Sequence, residues 1–259
     1  MKRSFFALAL IACLVAACGG TAVGPTTGVP DASAHVPTAA VGDEHPESLI
    51  AKGRVTDSTG RPLPGAVVNA DWQLSDDYSL NGFADANGNY RIALDPPQSS
   101  WHMNASYTTT WNGVAYAFDL DPVDDSPFVG TDGGVRDFVW RLTGPTPEGD
   151  ASYGGTVYAY MDFGGSIPID PQYVQLTLTP DGPLVDGSTG AVVTATGDQI
   201  DDVAVGRYVV TASYQEPGQP ATDLLVRVRN QGEFAPNVTA QFEQISATGQ
   251  QLELEVRSS

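Results

Sequence analysis

From Leu49 to Val256 the chain repeats one pattern. Apolar and polar residues alternate for four to eight positions, and then a glycine or proline breaks the run. Ala66, Val68, Ala70 and Trp72 are one such set; Trp101, Met103, Ala105 and Tyr107 are another; Phe138, Trp140 and Leu142 are a third. Period two places each set on one face of a strand. No long stretch carries the 3.6-residue period of an amphipathic helix. With 28 glycines and 19 prolines among 259 residues, turns are frequent and strands must be short. The expectation is an all-β chain.

Residues 48–143 read as a first domain. Gly53-Arg54-Val55-Thr56-Asp57 is a strand with Gly53 and Val55 on one face. Gly60 and Gly65 permit positive φ, and Pro62 and Pro64 stiffen the crossing to the strand at Ala66–Trp72. Phe83 to Leu94 reads as a β-hairpin turning at Asn87-Gly88, with Tyr90, Ile92 and Leu94 buried on the returning strand. Trp111-Asn112-Gly113 marks another hairpin turn, leading into Tyr116, Phe118 and Leu120. Gly-x-Val-x-Asp, then Gly-x-Pro-Leu-x-Gly-Ala, then Asp-x-Asn-Gly-x-Tyr occur in order across 53–94. In this, the segment resembles the carboxypeptidase regulatory-like domain, a seven-stranded β-sandwich also called transthyretin-like or prealbumin-like. The chain departs from that pattern at Ala84, where the family commonly has threonine. The resemblance implies a fold rather than an activity, since this module accompanies peptidases, receptors, adhesins and sugar-binding proteins alike.

Residues 144–151 are polar, proline-rich and strandless, and read as a linker. Strand patterns resume at Thr156–Met161, Val174–Leu178, Ala191–Ala195, Arg207–Tyr214, Leu224–Val228, Val238–Phe242 and Leu252–Val256. Gly206-Arg207-Tyr208-Val209-Val210-Thr211-Ala212 resembles a strand frequent in prealbumin-like and immunoglobulin-like sandwiches. The expectation for 152–259 is therefore a second β-sandwich of one of those types. Arg227 and Arg229 are placed to face Glu253 and Glu255 across strands, worth a few tenths of a kcal/mol per pair.

The N-terminus supplies an address. Lys2 and Arg3 precede an apolar run from Phe5 to Ala17, too short to span a bilayer, and small residues lead to Cys18. This is the layout of a secretory signal peptide. Leu14-Val15-Ala16-Ala17-Cys18 resembles the lipobox of bacterial lipoproteins. That resemblance implies removal of 1–17 and a diacylglycerol on the Cys18 thiol; the alternative is an ordinary signal with an incidental cysteine. Residues 18–47 nearly lack large apolar side chains and read as a disordered tether. His35 and His45 lie in it. The expected location is exported and lipid-anchored at the cell membrane or outer membrane. Gly19, rather than an aspartate, follows Cys18, which permits the outer membrane in a two-membrane host.

Charge and composition narrow the partners. The formal charge is −19, and loss of Lys2 and Arg3 takes it to −21 with Lys52 the one lysine left. Nucleic acid and anionic headgroups are repelled by such a chain. Cys13 and Cys18 are the two cysteines, so a chain starting at a lipidated Cys18 has no disulfide. His102 is the single histidine in a folded region; a triad or a zinc site has too little to work with, and His102 reads as an outward strand residue. No enzyme is expected and no cofactor, with one exception. Asp119, Asp121, Asp124 and Asp125, with Asp132 nearby, form an oxygen-rich segment that is a candidate calcium site. For ligands, Trp111 beside Asn112 is the first candidate sugar-stacking aromatic and Tyr78, near Asp76 and Asp77, the second. Trp72, Trp101 and Trp140 read as core. The expected function is a non-catalytic envelope lipoprotein displaying binding or structural modules, with a glycan or an envelope protein as partner. The alternatives are a carbohydrate-binding surface protein, implied by the fold shared with starch-binding-like modules, and an accessory subunit of an envelope peptidase or glycoside hydrolase, or an enzyme itself.

Overall fold

The computed structural model describes residues 45–74, 78–96 and 98–259. The expected signal peptide, Cys18, most of the tether, and Asp76 and Asp77 lie outside them. The described residues form strands joined by turns and loops, with one 3-10 turn at Pro171–Tyr173. Ten strands make the first sandwich: β1 (Ile50–Asp57), β2 (Val67–Trp72), β3 (Ser79–Phe83), β4 (Asn89–Ala93), β5 (Ser100–Trp111), β6 (Val114–Asp119), β7 (Asp121–Pro122), β8 (Phe128–Val129), β9 (Gly134–Val135) and β10 (Phe138–Trp140). One sheet runs β4-β1-β10-β7 with β9 also on β1, and the other β3-β2-β5-β6 with β8 on β5. Val55, Tyr90, Ile92, Phe138 and Trp140 are buried from the first sheet, and Val68, Ala70, Trp101, Met103, Tyr116 and Phe118 from the second. The inward phase read from the alternation is the observed one.

The spacing of residues in 53–94 has physical causes in this structure. A Cβ on Gly53 would stand 1.9 Å from the Arg136 carbonyl oxygen; the chain entering β10 passes directly over this position, where Arg136 N–H donates to Lys52 O (2.9 Å) and Arg54 N–H to Asp137 Oδ1 (2.7 Å). Asp57 is buried and closes the turn after β1. One oxygen accepts from Thr59 N–H, Thr59 Oγ1 and Arg61 N–H, the other from Arg61 Nε. Burial pushes its carboxyl up, but these hydrogen bonds outweigh that and hold it below the usual value. Gly60 and Gly65 carry φ of 84° and 81°, as the turn chemistry predicts.

The expected hairpin at Asn87-Gly88 is corrected. β3 pairs with β2 while β4 pairs with β1, so the turn carries the chain from one sheet to the other. It is closed by Asp85, whose backbone N–H donates to Asn89 O (2.8 Å) and whose carboxylate accepts from Asn87 and Asn89 N–H. The burial of Tyr90, Ile92 and Leu94 is as expected.

Nine strands make the second sandwich: β11 (Gly155–Met161), β12 (Val174–Pro180), β13 (Val193–Thr196), β14 (Gln199–Val203), β15 (Arg207–Tyr214), β16 (Thr222–Val228), β17 (Val238–Gln241), β18 (Glu243–Gln244) and β19 (Gln250–Arg257). They form one sheet in the order β13-β12-β15-β16-β19-β11-β14, with β17 on β15 and β18 on β19. β16 is the fold line: Thr222–Leu224 pair with β15 and Leu225–Val228 with β19. Tyr208, buried at the start of β15, donates its hydroxyl to Ala204 O four residues upstream (2.6 Å). This is the geometry of a tyrosine corner. Arg227 meets Glu255 and Arg229 meets Glu253, the pairs read from the sequence.

The two sandwiches share a seam, buried at Tyr116, Phe242 and Gln250 and open to solvent at its edges. Tyr116 of β6 donates to Phe242 O (2.5 Å). Ala117 N–H donates to Gln244 Oε1 (3.1 Å), and Ala117 O accepts from Nε2 of the buried Gln250 (2.6 Å). Tyr153 donates to Asp121 Oδ1 (3.1 Å), and Arg61 Nη2 to Asp186 O (2.9 Å). Residues 144–151, expected as a strandless linker, fold into a turn in which Thr146 N–H donates to Ala151 O and Gly149 N–H to Thr146 O. Asp202 pins both ends of that turn by accepting from Gly144 and Gly154 N–H.

Candidate functional site

The two aromatic candidates stand apart. Trp111 closes β5, in register with Val114, and the turn beyond it takes positive φ at Asn112 (46°) and Gly113 (80°). These are the angles of a type I′ hairpin. Asn112 is exposed, but the Trp111 ring is half-buried, its centroid 6.4 Å from that of Tyr116. Tyr78 lies at the other end of the sheet, edge-on to Trp72 (5.9 Å) and 6.2 Å from Trp101. Ten residues of extended strand, about 33 Å, separate Trp101 from Trp111. Trp111, Asn112 and Tyr78 therefore do not form one site. Trp101 and Trp140 are core, and Trp72 is half-buried beside them.

The carboxylates of 119–132 are also dispersed. Asp121 pairs with Arg141 and accepts from Tyr153, whose hydroxyl pKa is pushed up by burial and then by that carboxylate. Asp124 accepts from Ser126 N–H and Oγ and lies 3.1 Å from Arg136; the Ser126 hydrogen bonds hold its carboxyl below the usual range. Asp125 meets His102 Nε2 at 2.8 Å. Asp119 and Asp132 are exposed. Among the described residues no three His, Cys, Asp or Glu side chains come together as a metal site.

What the fold does bring together is a set of polar side chains on the outer face of β3, β2 and β5. The cause is register. Asn69 of β2 stands opposite Asn81 of β3 and opposite Asn104 of β5, so three asparagines cross the sheet in one row. The next row holds Ser79, Asp71 and His102, and the row on the other side Phe83, Val67 and Ser106. Asn69 Nδ2 donates to Asn104 Oδ1 (2.8 Å), and Asn104 Nδ2 to Asp71 Oδ2. His102 is fixed by Asp125. The outward phase of His102 is as expected; the row itself has no local signature. Its sequence signal is faint, because Asn69, Asn81 and Asn104 each occupy the solvent phase of an ordinary alternating strand. Only the register makes them neighbours. Chemically, such a face hydrogen-bonds. It offers amides, hydroxyls and one imidazole already engaged by a carboxylate.

A second feature is a cleft of about 700 Å³ at the seam, lined by Phe118, Asp119, Asp150, Asp201, Asp202 and Gln251 among others. Two of its carboxylates have structural partners: Asp202 clamps the 144–151 turn, and Asp201 accepts from Thr156 Oγ1 and the Gln199 amide.

No curated protein matches the chain. Among solved structures, it resembles the Bacillus anthracis TIE protein at 10% identity and a TM-score of 0.31, with 80% of this chain and 34% of that one covered. A Streptococcal ancillary pilin is similar at 11% identity and TM-score 0.25, covering 80% and 62%. A leucine-rich repeat protein from Bacteroides thetaiotaomicron follows at 12% and 0.23, covering 80% and 26%. The chain thus spans less than two thirds of each of these proteins. Residues 51–126, within the first sandwich, match the family model of the carboxypeptidase regulatory-like domain, bearing out the resemblance carried by Gly53 to Leu94.

Proposed function

We propose that this chain is an exported, lipid-anchored, non-catalytic protein that holds its two β-sandwiches out from a membrane as one binding unit. The observation that carries this reading is the seam. Tyr116, Gln244 and Gln250 lock the sandwiches through one buried and two half-buried hydrogen bonds, so their outer faces keep a fixed relation, as a display module requires. The side-chain chemistry is in keeping with it. Among the described residues, His102 makes its one side-chain hydrogen bond to Asp125 rather than to a nucleophile, and Asp57, Asp121, Asp124 and Asp202 are engaged in holding turns and the seam. Cys18, the tether of 18–47 and the acidic charge fit a stalked, soluble cargo.

Expression of the full chain in a bacterial host tests this. The wild type is expected to incorporate a palmitate analogue and to enter the detergent phase on phase separation, and Cys18→Ser to do neither. The purified protein is expected to leave peptide and glycoside libraries intact. Label on Cys18→Ser would remove the anchor from the proposal, and turnover that survives repurification would remove its non-catalytic part.

A further inference from the structure

We infer that the outer face of β3, β2 and β5 is a binding platform for a neutral polysaccharide, with Asn81, Asn69, Asn104 and Asp71 as its hydrogen-bonding floor and Phe83 as its stacking wall. The inference rests on the non-catalytic reading above and names the ligand class for it.

The unsatisfied groups make the first argument. Asn69 spends its amide N–H on Asn104, and Asn104 spends its own on Asp71. That leaves Asn69 Oδ1, the second Asp71 oxygen, the whole Asn81 amide and the hydroxyls of Ser79 and Ser106 without a hydrogen bond among the described residues. Acceptors and donors are therefore interleaved on one surface. A primary amide donates and accepts side by side, which suits a pair of neighbouring sugar hydroxyls, each of which also does both. The Asn69–Asn104–Asp71 chain is oriented before any ligand arrives, which lowers the ordering cost of binding.

Spacing makes the second argument. Neighbouring strands are about 4.8 Å apart, so the three asparagines span about 10 Å in a straight row. That repeat is close to the rise of one hexose unit in an extended chain, so successive sugars can meet successive strands. Phe83 lies on the same face, one row away, 68% exposed and without a ring neighbour among the described residues. An exposed aromatic ring beside amides stacks against the apolar C–H face of a sugar ring.

Charge selects among polymers. The three rows contain no lysine or arginine, and the whole chain carries −19. Of the carboxylates on and beside the face, Asp71 and Asp125 are engaged by Asn104 and His102, and Asp119 stands exposed opposite Ser106 at the end of its row. A polyanion has nothing to neutralise it here and is repelled; a neutral polyol meets no such barrier.

Affinity electrophoresis of the full chain in mild detergent, through gels containing soluble glucan, xylan or mannan, tests the platform. The expected result is retardation by at least one neutral polysaccharide, insensitive to salt. Asn81→Ala with Asn104→Ala should weaken it at least tenfold, Phe83→Ala several-fold, and Trp111→Ala not at all. Asn81, Asn104 and Phe83 are all exposed, and an unchanged melting temperature shows that the variants fold. No retardation by any neutral polysaccharide overturns the platform while leaving the lipid-anchored, non-catalytic reading intact. Retardation that survives the asparagine and Phe83 variants also overturns it, as does salt-sensitive binding confined to an anionic polymer. Cleavage of a retarding polysaccharide would overturn the non-catalytic reading and leave the platform standing.

Discussion

At the scale of residues, this fold depends on places where one backbone crosses another at contact distance. Gly53 is the clearest. Because a Cβ would fall 1.9 Å from Arg136 O, Gly53→Ala cannot be absorbed by a rotamer change; β1 and the chain entering β10 must separate. That movement also strains Arg136 N–H to Lys52 O and Arg54 N–H to Asp137. The expected cost is about 3 kcal/mol, read as a lower midpoint in denaturant, while Gly113→Ala, with open space around its Cβ, should cost only the strain of its positive φ. Equal losses for the two would contradict the crossing argument. This is also where the sequence was most legible. Asp57, Gly60 and Gly65 act within a few residues of themselves, and such constraints leave a readable spacing; Gly53 was legible only as part of that spacing, not for the Arg136 crossing that requires it. The asparagine row does not, because nothing about Asn69 alone says that Asn81 and Asn104 will stand beside it.

At the scale of elements, faces were readable and partners were not. Period two is a local property, so Trp101, Tyr116 and Phe138 were placed inward correctly. Whether β4 pairs with its chain neighbour β3 or with β1 is decided by long-range packing, and the turn at Asn87-Gly88 serves either. β14 lacks a clear alternation because its pairing with β11 is irregular and Asp202 takes a positive φ of 59°. The seam was invisible for the same reason. Gln244 and Gln250 look like solvated polar residues, yet they reach Ala117 across 127 and 133 positions. β6 is the last strand of its sheet, and bare edge groups invite pairing with another chain. The two glutamines act as a side-chain substitute for a missing strand. Gln244→Ala with Gln250→Ala should therefore remove the partners of the half-buried Ala117 N–H and C=O, at about 1 kcal/mol for each hydrogen bond. Calorimetry should then show two melts, one per sandwich, where the wild type is expected to show one, and sedimentation should show concentration-dependent association through β6. A single transition at the wild-type temperature, with a monomer at all concentrations, would mean that the seam is held by its apolar contacts alone.

At the scale of the whole molecule, tyrosine hydroxyls tie the parts together, and this gives stability an alkaline limit. Tyr90 donates to Arg136 O and Tyr208 to Ala204 O, each within one sandwich, while Tyr116 and Tyr153 cross the seam to Phe242 O and Asp121. Burial raises all four above the ordinary value of 10.0, Tyr116 and Tyr208 to about 12. For Tyr153 and Tyr90 the nearby carboxylates of Asp121 and Asp137 add to the effect. A group whose folded pKa is raised contributes stability that is complete below the unfolded pKa and is lost as pH climbs toward the folded one. Above pH 10 the unfolded chain releases these protons while the folded chain keeps them, so unfolding is favoured by about 1.4 kcal/mol per pH unit for each tyrosine. Four acting together should make the unfolding free energy nearly level from neutral pH to about 10 and then steeply falling toward 12. Denaturant melts at successive pH values, followed by tyrosinate absorbance, measure this directly. Tyr116→Phe should lower stability at neutral pH by about 1 kcal/mol, the net worth of its hydrogen bond, and make the alkaline slope shallower by one tyrosine's share. An unfolding free energy that stays level through pH 11 would show that these hydroxyls reach solvent, and with it that the seam between the sandwiches is open rather than closed.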